Sequence, residues 1–189
     1  MKNCKLVFVL AVILAASVAG CATSGNKPEN IVSWKTITEA DEFIGKWEGS
    51  INVAIPEDKE GQIPKSSIEV SIFLEYIKNT EEINSGMKVD MNKFLTDWLK
   101  IDEIKQAGIT KDQLWDFLSE EFHNHDSIEV GGRYFITADL SGTADSFLHD
   151  DTGDFYISES RTQLKIVFHE VVKFGIGDAG FTEIVLSKK

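Results

Sequence analysis

Two stretches decide the fold of this chain: WEGSINVAI at residues 47–55 and IEVSIFLEY at residues 68–76. In both, apolar and polar residues alternate, which places the apolar side chains on one face of an extended chain. The apolar faces carry Trp47, Gly49, Ile51, Val53 and Ile55 in the first stretch, and Ile68, Val70, Ile72, Leu74 and Tyr76 in the second. The pattern predicts two half-buried antiparallel strands joined by a charged loop.

The same two-residue period recurs on the C-terminal side. A weaker strand is predicted near 83–89, another at 134–140 after Gly131-Gly132, and further strands near 154–158, 163–174 and 181–187. The short segment 144–149 lies between turn signals and is a further possible strand, the eighth in all. Because the connections between successive strands are short, the sequence predicts a mainly β, antiparallel up-and-down sheet. Closing such a sheet into a barrel removes its exposed edges.

A helical insert is predicted at about residues 90–125. Apolar residues at helical spacing begin at Met91, and Thr110-Lys111-Asp112-Gln113 forms a capping box ahead of a second apolar series. Gly108 stands where the first helix should end. The expected amphipathic pair spans about 91–105 and 111–123. Its Trp98 and Trp115 either form a lid over the open end of the barrel or pack on its outside, and both interpretations stay open.

The first twenty residues have the parts of an export signal. Lys2 and Lys5 give a positive head, and the fourteen residues from Leu6 to Ala19 contain Ser17 as their one polar member. A permanent membrane-spanning helix needs about 20 apolar residues, so this segment is short for that role. The stretch predicts a cleaved signal peptide at residues 1–20.

The exit of this signal, Val18-Ala19-Gly20-Cys21, resembles the lipobox of bacterial lipoproteins. The resemblance implies that Cys21 carries acyl chains such as palmitate and becomes the first residue of the mature protein, attached to the cell membrane. Residues 21–36 would be the lipidated cysteine and a flexible tether. Ala22, in place of an aspartate, favours the outer membrane over the inner one by the same resemblance. The alternative is an ordinary secretory signal that happens to contain a cysteine.

Charge and cysteine content limit the chemistry of the mature protein. Cleavage removes Lys2 and Lys5 from 19 basic residues, leaving 17 against 31 acidic ones, a net charge of −14. Such an acidic surface repels phosphate backbones, so nucleic acid is not an expected partner. Cys4 leaves with the signal and Cys21 is capped, which excludes thiol catalysis and cysteine-ligated metals. We find no nucleophile with a base and an orienting group, and therefore predict no enzyme and no cofactor.

Gly45-Lys46-Trp47, at the start of the first long strand, resembles the Gly-x-Trp motif that opens strand one of lipocalins and related calycins. In that family the tryptophan plugs the closed end of the barrel, a place that Trp47 would take here. The resemblance covers this motif and the order of strands, and it implies a lipocalin-like barrel over residues 37–189. A core tryptophan in an unrelated β-fold is the alternative.

Three other motifs have weaker functional interpretations. Gly175-Ile176-Gly177-Asp178-Ala179-Gly180 matches a dinucleotide-binding pattern, but a strand is predicted to follow where that site needs a helix. His123-Asn124-His125-Asp126 would need a third ligand such as His149 or Asp150 to hold a metal, and a polar helix end is the simpler interpretation. Asp150–Asp154 does not fit a calcium loop and is typical of a hairpin turn. No metal site is predicted.

Two functions are therefore expected as alternatives. The first is a membrane-tethered envelope lipoprotein whose barrel binds a small apolar or amphipathic ligand, in a cavity of a few hundred cubic ångströms beneath the helices. The second is a non-enzymatic interaction protein of the cell surface or periplasm. It would have no ligand cavity and would present an exposed apolar patch near Trp98 or Trp115 to another protein.

Overall fold

The computed structural model describes residues 32–57, 64–78, 80–120, 126–149, 153–174, 176 and 179–189. Over these residues the chain is mainly antiparallel β-sheet, which confirms the predicted class. The strands are β1 Trp34–Thr36, β2 Gly45–Ile55, β3 Ser66–Tyr76, β4 Glu82–Asp90, β5 Asp126–Val130, β6 Arg133–Asp139, β7 Gly142–Thr143, β8 Gly153–Ser158, β9 Gln163–Lys173 and β10 Gly180–Lys188. The helices are α1 Asn92–Trp98, α2 Asp102–Ala107, α3 Lys111–Ser119 and α4 Ala144–His149, and a 3₁₀ turn spans Ala40–Phe43.

The two stretches with the strongest alternation form the longest uninterrupted pairing of the sheet. β2 and β3 pair over eleven consecutive positions, from Gly45 opposite Tyr76 to Ile55 opposite Ser66. Every second residue of β3 is buried, from Ser66 to Tyr76. The apolar face predicted from the sequence is therefore the face that covers the hydrophobic core.

The sheet joins the last strand to the first long one. Its order is β1-β8-β9-β10-β2-β3-β4-β6-β5, with β7 attached to β4. Neighbours along the chain pair in β2-β3-β4 and in β8-β9-β10, as expected of a meander, and β10 pairs with β2. In the described part of the chain the sheet is open, because its hydrogen-bonded path ends at β1 and β5.

The helical insert contains three short helices where the sequence predicts two. Ile101 has an extended backbone (φ −63°, ψ 133°), which ends the first predicted helix after Leu99 and lets α2 begin at Asp102. The other signals are confirmed: Gly108 ends α2 in the left-handed conformation (φ 67°), and Thr110 and Gln113 cap α3 reciprocally.

Three further elements differ from the sequence prediction. The short strand β1 pairs with β8, so the described sheet begins at Trp34, before the first strand that alternation indicates. Segment 144–149 is the helix α4, which is too short for its period to be read from sequence. β5 is an edge strand with no buried residue, and it has only five residues, so its short alternation does not distinguish it from a loop. Among the described helices, none is long and apolar enough to cross a bilayer.

Candidate functional site

A cavity of about 330 Å³ lies against the inner face of the sheet. Strands β3, β4, β8 and β9 contribute its walls, because the inward positions of their alternating sequences point here. Most of the lining is apolar and comes from Ile72, Leu74, Phe147, Phe155, Ile166 and Phe168. A cavity of this size and lining is at the small end of ligand-binding pockets in proteins.

The short helix α4 covers one side of the cavity. It follows β7, which pairs with β4, and it precedes β8, so it links two parts of the sheet that do not pair with each other. The Phe147 ring of α4 packs on Phe155 of β8, with ring centroids 5.7 Å apart. No residue of α4 is buried, and Phe147 and Leu148 are half-buried. The helix therefore closes the cavity with few contacts.

The polar groups of the cavity cluster at the β7 end of α4. They belong to Ser85, which is 2 % exposed, and to Ser141 and Ser146. The Ser85 hydroxyl donates to the Leu140 carbonyl (2.7 Å), and the Ser146 hydroxyl donates to the Thr143 carbonyl (2.9 Å). The Ser141 hydroxyl accepts from the Ser85 N–H (3.1 Å) and lies 3.2 Å from the Ser85 carbonyl, to which it donates. The cavity thus has one polar end and an apolar remainder.

An open groove adjoins this polar end and shares Ser141 and Gly142 with the cavity. Its charged residues are Glu75 and Glu82. Glu75 is paired with Lys46, whose Nζ lies 3.1 Å from Oε1, and Lys46 itself does not border the groove. The charged lining outside the polar end is therefore acidic.

Trp47 lies near the start of the first long strand, β2. Its side chain is fully buried, and its indole Nε1 donates to the Phe43 carbonyl at 2.6 Å. Phe43 in turn packs against Tyr76, with ring centroids 5.4 Å apart. Gly45 opens β2 with φ +121°, a backbone conformation that side chains disfavour. These contacts fasten the 3₁₀ turn against the sheet.

Trp98 and Trp115 are both in the hydrophobic core, at 4 % and 6 % exposure. Trp98 packs edge-on against Phe94, and Trp115 packs on Tyr134 of β6, with centroid distances of 5.0 and 5.2 Å. The insert is tied to the sheet at Ser66, whose hydroxyl donates to Asp97 at 2.8 Å. Neither tryptophan borders the cavity, which α4 covers instead.

Several predicted features lie outside the residues that the structure describes: the signal peptide 1–20, Cys21, His123, His125, Asp150, Gly175 and Gly177. His149 is described and lies in α4, where its Nε2 is 3.7 Å from Asp145. Across the described ranges no three His, Cys, Asp or Glu side chains converge as a metal site requires. After Gly180 the chain continues as β10, the strand predicted to follow the glycine-rich motif.

Sequence reasoning missed the cavity residues of α4. One local signal was present: Thr143 accepts a hydrogen bond from the Ser146 N–H (3.1 Å), a helix-start contact that Thr143-Ala144-Asp145-Ser146 permits. The apposition of β4 and β8 has no local signal, because these strands are more than sixty residues apart. Comparison of the chain with protein-family models, curated proteins and solved structures finds no match.

Proposed function

We propose that this protein is a lipid-anchored lipoprotein of the bacterial envelope that binds a small apolar or amphipathic molecule in the cavity beneath α4. The observation that carries the proposal is the cavity of about 330 Å³, with an apolar body and a single polar end. Burial of apolar ligand surface in such a space supplies the affinity, and the few polar groups orient the ligand.

We also propose that the domain is a lipocalin-like barrel whose wall is interrupted, since the described path of paired strands ends at β1 and β5. The pairing of β10 with β2 supports this, because it makes β8-β9-β10-β2-β3-β4 one continuous wall. Residues from both ends of that wall, Ser85 of β4 and Phe155 of β8, border the same cavity. α4, which links β7 to β8 and borders the cavity, would be the part that moves when a ligand enters.

The lipid anchor rests on the sequence Val18-Ala19-Gly20-Cys21 and the apolar segment before it. Two or more acyl chains hold a protein on a membrane stably, because each buried methylene contributes about 0.8 kcal/mol. In a bacterial host fed labelled palmitate, we expect label in the wild type and in Cys4→Ser, whose thiol leaves with the signal. Cys21→Ser should carry none. Label on Cys21→Ser, or an unmodified wild type, would refute the anchor. Membrane fractionation would then test the preference for the outer membrane.

The ligand proposal is tested on a soluble form that comprises residues 22–189. Every member of the hydrophobic core lies between Ile37 and Leu186, so this form keeps the whole core and should fold. We expect the uncharged probe N-phenyl-1-naphthylamine to gain fluorescence on binding. Ser85→Leu adds apolar atoms inside the cavity. Because they take up space that the probe needs, the variant should bind the probe about tenfold more weakly. Ser50→Leu adds the same atoms at an exposed position of β2 and should leave binding unchanged.

Two further measurements complete this test. Circular dichroism of each variant without probe shows whether a loss of binding is a loss of folding. Native mass spectrometry of the protein purified from its producing cells looks for a bound molecule directly. No bound molecule and no probe binding would exclude the ligand function and favour the alternative, an envelope protein that binds another protein.

A further inference from the structure

We propose that the cavity selects an amphipathic molecule whose polar end donates hydrogen bonds and carries no negative charge, with a primary amine as the best-matched head group. This inference rests on the proposed ligand function and names the class of ligand. It follows from the orientation of the donors at the polar end of the cavity and from the charge of the adjoining groove.

The donors at the polar end are already used within the protein. The hydroxyls of Ser85, Ser141 and Ser146 have main-chain carbonyl oxygens as their acceptors. Three main-chain N–H groups at this end also donate to oxygen atoms of the protein. Those of Leu140, Ser141 and Ser146 donate to the Ser85 carbonyl (3.0 Å), to Asp139 Oδ1 (2.9 Å) and to Thr143 Oγ1 (3.1 Å).

What these groups retain is acceptor capacity. A hydroxyl oxygen has two lone pairs and a single proton, so each serine oxygen still accepts after its proton is committed. A ligand hydroxyl or amine would satisfy these oxygens. A carboxylate head has only acceptors, would meet acceptors at the polar end, and would find no cation there to pair with. No Lys, Arg or His borders the cavity in the described part of the chain.

The adjoining groove adds a charge preference to the donor preference. Glu82 borders the groove and lies opposite Thr143 in the β4–β7 pairing, next to the pair of Ile83 and Gly142. Glu82 makes no ion pair with the described residues, whereas Glu75 is paired with Lys46. Glu82 is exposed, so this carboxylate would attract a cationic head group that reaches the open groove and repel a carboxylate head, with both effects weakened by solvent.

The experiment compares dodecylamine, dodecan-1-ol and dodecanoate as competitors of N-phenyl-1-naphthylamine on the soluble form at pH 7.5. The three share one chain and differ in the head group. We expect the alcohol to displace the probe at a concentration about tenfold below that of dodecanoate, since the unpaired carboxylate is costly to bury. We expect the same of the amine, because its charge can stay in the open groove, where Glu82 attracts it. Glu82→Gln should weaken the amine several-fold and leave the alcohol unchanged. Glu183→Gln, which removes an exposed charge from β10 away from the groove, is the matched control.

Each outcome has a distinct meaning. Dodecanoate competing as well as the alcohol would overturn the inference and leave ligand binding by the cavity intact. An amine whose affinity does not change in Glu82→Gln would overturn the role of the groove. If the folded protein binds neither the probe nor any competitor, the proposed function itself fails, and this inference fails with it.

Discussion

The indole Nε1 of Trp47 donates a hydrogen bond of 2.6 Å to the main-chain carbonyl of Phe43, and both side chains are fully buried. The bond connects the first long strand to the 3₁₀ turn before it. Trp47→Phe keeps an aromatic ring but leaves the carbonyl without this donor, which should lower the free energy of unfolding by about 1–3 kcal/mol. Trp47→Ala should cost about 3–5 kcal/mol.

Urea unfolding followed by circular dichroism measures both values. Trp34→Phe is the control, because Trp34 is only half-buried on the edge strand β1. This change should lower the free energy of unfolding by less than about 1 kcal/mol. Equal losses in Trp47→Phe and Trp34→Phe would contradict the role assigned to the bond.

Gly49 allows β2 and β10 to approach closely. A Cβ atom at this position would lie 2.4 Å from the Val185 carbonyl oxygen and 2.9 Å from Leu186 Cδ2. Gly49→Ala should therefore push β10 away and destabilise the protein by about 1–3 kcal/mol, the usual cost of overpacking. Hydrogen exchange should accelerate at the amides of β10. Ser50→Ala, next in sequence and exposed, should change stability by less than about 0.5 kcal/mol. Unchanged exchange in Gly49→Ala would show that the contact is not tight.

Asp97 connects the helical insert to β3. Its carboxylate accepts from Lys100 (2.6 Å), Lys93 (2.5 Å) and Ser66 (2.8 Å), and these hydrogen bonds hold the pKa of Asp97 far below its ordinary value. Asp97→Asn should cost about 1 kcal/mol at pH 7, since its two lysine partners are exposed.

The lowered pKa predicts the direction of the pH dependence. Stabilisation by Asp97 is complete above the ordinary pKa of 3.8 and is lost as the pH falls further. The difference in unfolding free energy between wild type and Asp97→Asn should therefore shrink below about pH 4. Asp102→Asn is the control. The Asp102 side chain is 80 % exposed, so its ion pair with Lys105 should contribute almost nothing to stability. A difference that does not depend on pH would rule out the charge as the cause.

The pKa of Tyr134 is raised, so its contribution to stability should decrease as the pH rises. Its hydroxyl donates to Asp112 of α3, and this hydrogen bond, with burial and the nearby carboxylates, raises the pKa of Tyr134 from 10.0 to about 12. The protonated phenol stabilises the fold fully below pH 10, and that contribution is lost as the pH rises towards about 12.

We expect the stability advantage of wild type over Tyr134→Phe to be constant from pH 7 to pH 9 and to decline above pH 10. Asp112→Asn should remove most of the decline, because the carboxylate raises the pKa. Glu103→Gln, an exposed change on α2, should keep it. An advantage that survives unchanged to pH 11.5 would contradict the Asp112–Tyr134 contact.

The sequence predicted the elements whose pattern is local. Alternation located β2, β3, β4, β6, β8, β9 and β10 within a few residues, and the cap signals at Gly108 and Thr110 located helix ends in the insert. It failed where no local pattern exists. β1, β5 and β7 are short or exposed on both faces, and α4 has only six residues, so neither period is expressed in them.

The sequence alone determined which strands form, which of their faces is buried and how the insert is capped, because these depend on residues within a few positions of one another. The export and lipidation signal expected at residues 1–21 stays a prediction from the sequence. Only the tertiary structure decided that β10 pairs with β2, that the described sheet stays open with its path ending at β1 and β5, and that α4 covers a cavity on its inner face. Those features depend on contacts between segments distant in the chain, and no local period records them.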